Sequence, residues 1–202
     1  MRVIVIGGTG TIGSAVVAAL SGHHEVVVVG RNRGSVHVDL ASADSIRAMF
    51  QSVGKFDAVV SAAGQAKFGS LDDLTDADYL FSFSNKLMGQ VNLVRIGRQF
   101  IADGGSFTLT SGVLSQEPMK GSASISMVNA GLDGFVRAAA LELPRRMRVN
   151  VISPPWVTET LIARKMDPSQ GMPAASLAHA YLASVEGTMT GQTIDPRKLA
   201  GR

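Results

Sequence analysis

The sequence predicts an α/β fold, a doubly wound and mostly parallel sheet with helices on both faces. Short β-branched runs alternate with stretches of helical periodicity along the 202 residues, the pattern of a parallel sheet covered on both sides. The first run, Arg2 to Ile6, passes directly into Gly7, Gly10 and Gly13. Behind them Ile12, Val16, Ala19 and Leu20 recur at helical spacing, so the glycines occupy a strand-to-helix turn.

Such a turn is an anion site. Without side chains its backbone approaches a pyrophosphate closely, and the first N–H groups of the helix point at the charge. Gly7, Thr9, Gly10, Thr11, Ile12 and Gly13 are therefore candidate dinucleotide contacts. A plain βα turn is the alternative, because glycines also punctuate ordinary turns.

Glu25 to Val29 form a second strand, closed by Gly30-Arg31-Asn32-Arg33. In a dinucleotide fold an acid just past this strand bonds the ribose 2′-hydroxyl, whereas an arginine accommodates a 2′-phosphate. Glu25 begins the strand, so Arg31, helped by Asn32 or Arg33, predicts NADP(H) in preference to NAD(H). The competing reading is a solvated basic loop.

Val36 to Leu40 form a third short run, with Asp39-Leu40 placed to border an adenine. Ser42 or Asp44 caps a helix through Phe50, and Asp57 to Ser61 is a strand closed by Ala62-Ala63-Gly64. Ligands of a doubly wound sheet collect at such carboxyl ends. A helix is predicted over Asp72 to Ala102, stopped by Gly104-Gly105 before a strand at Ser106 to Thr110. A second long helix runs from near Gly121 to the break at Pro144. Arg148 to Ile152 make a sixth strand, Pro154-Pro155-Trp156 a bend, Ala174 to Val185 a last helix and Thr193-Ile194 an edge strand. Neither an internal repeat nor a linker divides residues 1–202, so a single domain is expected.

Composition narrows the chemistry. The absence of cysteine excludes disulfides, thiolate metal sites and cysteine nucleophiles. His23, His24, His37 and His179 show neither metal-ligand spacing nor partner carboxylates, so no metal is expected. No leader precedes the first strand and no apolar run reaches membrane length, so a cytoplasmic protein without a membrane partner is expected. The net charge of +3 is spread without a continuous basic face, which argues against a nucleic-acid partner.

Taken in order, these segments resemble the short-chain dehydrogenase/reductase family. GGTGTIG is similar to its glycine turn, Asp39-Leu40 to its adenine-side pair, SAAG at 61–64 to its NNAG segment, and NVISPPWVTET at 150–160 to its NxxxPGxxxT segment. TGQTID at 190–195 resembles its closing strand. The resemblance implies a Rossmann-like sheet of about seven strands holding NAD(P), with hydride exchanged with a small carbonyl or alcohol. It also implies cofactor contacts at Ala62, Ala63, Gly64, Pro154, Val157 and Thr158. Pairing through the two long helices into a homodimer or homotetramer is a further implication.

Departures from the family fall on the chemistry. Ser111 matches the serine that bonds the substrate oxygen, but Ile125 and Asn129 stand where the family has the tyrosine and lysine of YxxxK. Isoleucine has no proton to give, and an amide carries no charge to depress a neighbour's pKa. Lys86-Leu87-Met88-Gly89 corresponds to the family's NLxG, so lysine and asparagine have exchanged places, with Lys86 and Asn129 facing one pocket. The competing alignment takes Asn85 as the family's asparagine and leaves Lys86 a solvated helix lysine.

Lys86, if desolvated, Ser111 or a bound water are the candidate proton sources, with Ser124, Ser126 and Lys120 nearby in sequence. The phenols of Tyr79 and Tyr181 read as half-buried packing. Trp156 is either a substrate platform or cover for the nicotinamide, beside a short lid between Thr160 and Pro173. Two functions remain: a reductase worked by Ser111, Lys86 and Asn129, and a binding module that keeps the NADP(H) pocket without hydride transfer.

Overall fold

A computed structural model describes residues 1–199. Its strands are β1 (Arg2–Ile6), β2 (Glu25–Gly30), β3 (Val36–His37), β4 (Phe56–Ser61), β5 (Ile101–Thr110), β6 (Arg148–Ile152) and β7 (Thr193–Ile194). They form one seven-stranded sheet in the order β3-β2-β1-β4-β5-β6-β7, with every pairing parallel. The winding reverses between β1 and β4. That reversal opens a crevice at the carboxyl ends of the two strands.

Helices α1 (Thr11–Leu20) and α7 (Ala174–Glu186) pack on one face, while α2 (Ala43–Val53), α4 (Gly89–Gly97) and α5 (Ala123–Glu142) cover the other. Two cores follow from this layering. Val3 and Val5 of β1 join the α1–α7 core, and Ile4 and Ile6 join the opposite one, which explains an apolar run without polar alternation. In the larger core the Phe50 ring stacks on Phe56 and Phe100, with centroids 5.2 and 5.8 Å apart.

The expected helix over Asp72 to Ala102 is shorter and interrupted. It comprises α3 (Asp76–Ser82), a π-helical turn over Phe83–Met88 and then α4. Thr75 starts it through a capping box: its side chain accepts from the Asp78 N–H while the Asp78 carboxylate accepts from the Thr75 N–H. It stops early because Ile101 already pairs with Phe56 in the sheet, five residues before Ser106 pairs with Ala58. The intervening bulge is held by Arg145, whose guanidinium donates to Asp103 at 2.8 Å.

Smaller differences have local causes. The run over Val36 to Leu40 keeps only two strand residues, although Val38 and Leu40 are buried beside it. Ser42, rather than Asp44, caps α2 by accepting from the Ser45 N–H at 3.2 Å. The short segment before α7 holds α6 (Thr158–Ala163) and a 3-10 turn at Pro168–Gln170. His24 does have a carboxylate partner, since Glu186 at the end of α7 lies 2.9 Å from its ring nitrogen. Sequence distance hid that pair. No helix among the described residues is long and apolar enough to cross a membrane.

Because Phe50 is fully buried between two other rings, Phe50→Ala is expected to cost about 3 to 5 kcal/mol of unfolding free energy, measured by urea denaturation.

Candidate functional site

The site begins at the glycine turn. Gly7 lies in the left-handed region at φ +78°, and its N–H donates to the Val29 carbonyl at 2.8 Å, which folds the chain back over β2. A Cβ on Gly13 would stand 2.0 Å from the Gly7 oxygen, so α1 starts directly against the turn. Ser14 donates to the Gly10 carbonyl at 2.8 Å; the amides ahead of it belong to the first helical turn, which has no intrahelical acceptor to offer them.

Beside this turn lies a cleft of about 330 Å³, walled by Gly7, Thr9, Gly10, Arg31, Asp39, Leu40, Ala62, Ala63 and Gly64, with Gln65 and Asn85 also in its lining. Arg31 is the one cation among these lining residues. Thr11, Ile12 and Gly13 stand apart from the lining as the first turn of α1, and Asn32 sits in the exposed loop outside it. A side-chain-free cradle beside amide donors and a cation suits a dinucleotide diphosphate in donor chemistry.

A second cleft of about 210 Å³ adjoins the first across Lys86, whose Cα and Cγ lie 3.2 Å from where a Cβ on Gly64 would be. It gathers Lys86, Ser111, Asn129, Pro154 and Val157 together with Ile125 and Trp156. The Lys86 ammonium donates to the Ser111 carbonyl at 3.2 Å and makes no ion pair among the described residues. Burial without a compensating acid brings its pKa down to about 8. Asn129, on α5, donates through Nδ2 to the Gly112 carbonyl at 3.3 Å, and its buried Oδ1 has no protein partner. Ser111 Oγ makes only a long contact, 3.4 Å, with the Ile152 carbonyl. An orphaned acceptor, a weakly held hydroxyl and an ammonium suit the hydroxyl and oxyanion chemistry of a nicotinamide riboside and its substrate.

Asn85 and Lys86 part company at the π-helical turn. Asn85 Oδ1 accepts from the Gln65 N–H at 2.7 Å and steadies the segment after β4, whereas Lys86 reaches the cleft that holds Ser111. A wider turn at this point sends successive side chains to different clefts, a use typical of π-bulges. No periodicity in the sequence signals it.

Several candidates lie elsewhere. Thr158 is outside the cleft lining, its N–H donating to Met172. Ser124 donates to Ser82, Ser126 pairs with Ser122, and Lys120 is exposed. Tyr181 is fully rather than half buried, on the α7 side of the sheet, with its hydroxyl 2.8 Å from Thr110 Oγ1 and its pKa pushed up by burial. Among the described residues no group of three His, Asp or Glu side chains is placed to hold a metal. Sequence reasoning missed four lining residues: Gln65 from a loop, Val113 and Leu114 from a 3-10 turn, and Thr160 from α6.

Residues 13–193 match the family model described as enoyl-(acyl carrier protein) reductase. An uncharacterized oxidoreductase of Methylorubrum extorquens is 25% identical, the alignment covering 98% of this chain and 86% of the relative. The 3-oxoacyl-[acyl-carrier-protein] reductase of Rattus norvegicus is 26% identical over 76% of this chain and 74% of its own. A solved protein from Listeria innocua superposes with a TM-score of 0.93 at 40% identity, covering 96% of this chain and 98% of that one. A small-chain dehydrogenase crystallised with NADPH superposes with a TM-score of 0.85 at 29% identity, covering 96% and 95%. With its all-parallel Rossmann-like sheet and this match across most of its length, the chain belongs to the short-chain dehydrogenase/reductase family.

Proposed function

We propose that this protein is an NADP(H)-dependent oxidoreductase of a small carbonyl or alcohol substrate, worked by Lys86, Ser111 and Asn129. One observation carries the reading: an unpaired ammonium, a serine and an orphaned amide oxygen share a cleft that opens beside the glycine turn. The NADPH complex of a relative with the same fold supports the choice of cofactor.

Each residue then has a task. The backbone of Gly7 to Gly13 holds the diphosphate, Arg31 and Asn32 meet the 2′-phosphate, and Asp39 and Leu40 border the adenine. Ala62 to Gly64, with Pro154, Val157 and Thr158, flank the nicotinamide half. NADPH, when bound, supplies the hydride. Lys86 lays positive charge beside the substrate oxygen and, with its pKa lowered toward neutrality, gives that oxygen a proton. Asn129 Oδ1 accepts from a cofactor hydroxyl, and Ser111 orients the substrate oxygen. Exposed Leu80, Phe83 and Met127 on the long helical segments favour pairing of copies.

Ile125 in the cleft wall favours a second reading, a binding module that keeps the cofactor and has lost turnover. NADPH oxidation against a panel of carbonyl compounds separates the two. Turnover that drops at least about tenfold in Lys86→Ala and Ser111→Ala, with NADPH affinity kept, supports the oxidoreductase. Tight NADPH binding and no turnover across the panel supports the module.

Arg31→Asp is expected to weaken NADPH binding by about tenfold or more while leaving NADH binding within a few-fold, read by fluorescence titration. Equal losses would remove the 2′-phosphate role.

With Lys86 as proton donor, kcat falls as pH rises through about 8, and Lys86→Ala abolishes that limb. The same depressed pKa sets a stability prediction. Below about 8 the folded protein carries the full cost of a buried charge, and between there and 10.5, the unshifted value, the unfolded chain binds the extra proton, so this cost fades. Lys86→Met should therefore stabilise the fold at pH 7 by on the order of 1 to 3 kcal/mol, with the gain shrinking toward zero above pH 10.5 in denaturation curves.

A further inference from the structure

Gln90 lies on α4, and no part of its side chain reaches solvent. Its amide binds main chain alone. Oε1 accepts from the Thr110 N–H at 2.8 Å, and Nε2 donates to the Thr110 carbonyl at 2.9 Å and to the Lys86 carbonyl at 3.3 Å.

The location explains the need for such a group. On the β4 side, the sheet pairing of β5 ends where Thr108 meets Val60, so Thr110 lies past the last strand partner on that edge. A glutamine amide has the donor and acceptor of a peptide and replaces the missing strand. Its remaining N–H reaches the π-helical turn at Lys86. From there the connections return on themselves: the Lys86 ammonium donates to the carbonyl of Ser111, the residue after Thr110. One buried amide thus ties the main chain of Lys86 to the strand end that receives the Lys86 head group.

We propose that Gln90 is a positioning residue that holds Lys86 against Ser111 and keeps the ammonium in its cleft, an inference resting on the reading of Lys86 as the working ammonium. Gln90 itself touches neither cleft. Removing its amide frees the π-helical turn from β5, and the ammonium relaxes toward water.

The test follows the lysine itself in the full chain labelled with 13Cε/15Nζ-lysine, the Lys86 resonance being assigned with Lys86→Met. Parent, Gln90→Met, Gln90→Asn and the core control Phe50→Leu are titrated over about pH 6 to 11, alongside melting curves and NADPH titrations. The Lys86 midpoint is expected to rise by about one pH unit in Gln90→Met and by less in Gln90→Asn, whose amide is one methylene too short to serve both partners. NADPH affinity should stay within about threefold in both, and Phe50→Leu should lower the melting temperature without moving the midpoint. An unchanged midpoint in Gln90→Met, or an equal rise in the control, overturns the proposal. Should Gln90→Met fail to fold, Gln90→Asn decides alone, and an unmoved midpoint there overturns it. Failure of the parent to bind NADPH would sink the proposed function but leave this titration interpretable.

Discussion

Backbone packed directly on backbone at the glycine turn is the constraint on which the rest depends. No side chain fits between Gly13 and the Gly7 carbonyl, nor between Gly7 and the Ala62 carbonyl, where a Cβ would stand 2.8 Å away. These approaches seat α1 over the end of β1 and bring the segment after β4 against the same turn. With the reversal of strand order between β1 and β4, they leave an open crevice lined by amides and small residues. The shape of the first cleft follows from that lack of bulk.

The neighbouring cleft works on the opposite principle, because it concentrates polar groups that the fold leaves unsatisfied. Lys86 is half-buried, its ammonium held by a single carbonyl acceptor, and the buried Asn129 Oδ1 has no protein partner. Each is costly in a protein interior, and each is what a site needs if its partners arrive with a ligand. Some buried polar groups nearby are closed off, since Tyr181 pairs with Thr110, Ser124 with Ser82 and Gln90 with the end of β5, while Ser61 Oγ and Asp133 Oδ1 also lack a partner. The bonded groups hold the scaffold, whereas Lys86 and Asn129 face the cleft.

The segment from Thr75 to Gly97 links these two regions. Its π-helical turn lets Asn85 steady the loop at the first cleft while the next residue enters the second. A uniform α-helix over the same residues would have kept the register that the apolar spacing of Leu80, Leu87, Val91 and Val94 suggests. Polar side chains bonded to main chain outside the helix override that register, and they do so where the ammonium is presented.

The sequence alone determined the α/β architecture, because β-branched runs and glycine punctuation are local signals whose period survives any tertiary context. It also made the glycine turn and Arg31 past β2 legible, since residue types at fixed spacing need no coordinates. Ser111, Lys86 and Asn129 stood only as candidates drawn from the resemblance, with Asn85 the alternative to Lys86. Tertiary structure decided which of Asn85 and Lys86 enters the cleft, that His24 meets Glu186, and that Gln90 completes β5. Those outcomes depend on contacts between residues far apart in sequence and on one non-α turn, neither of which leaves a periodic trace.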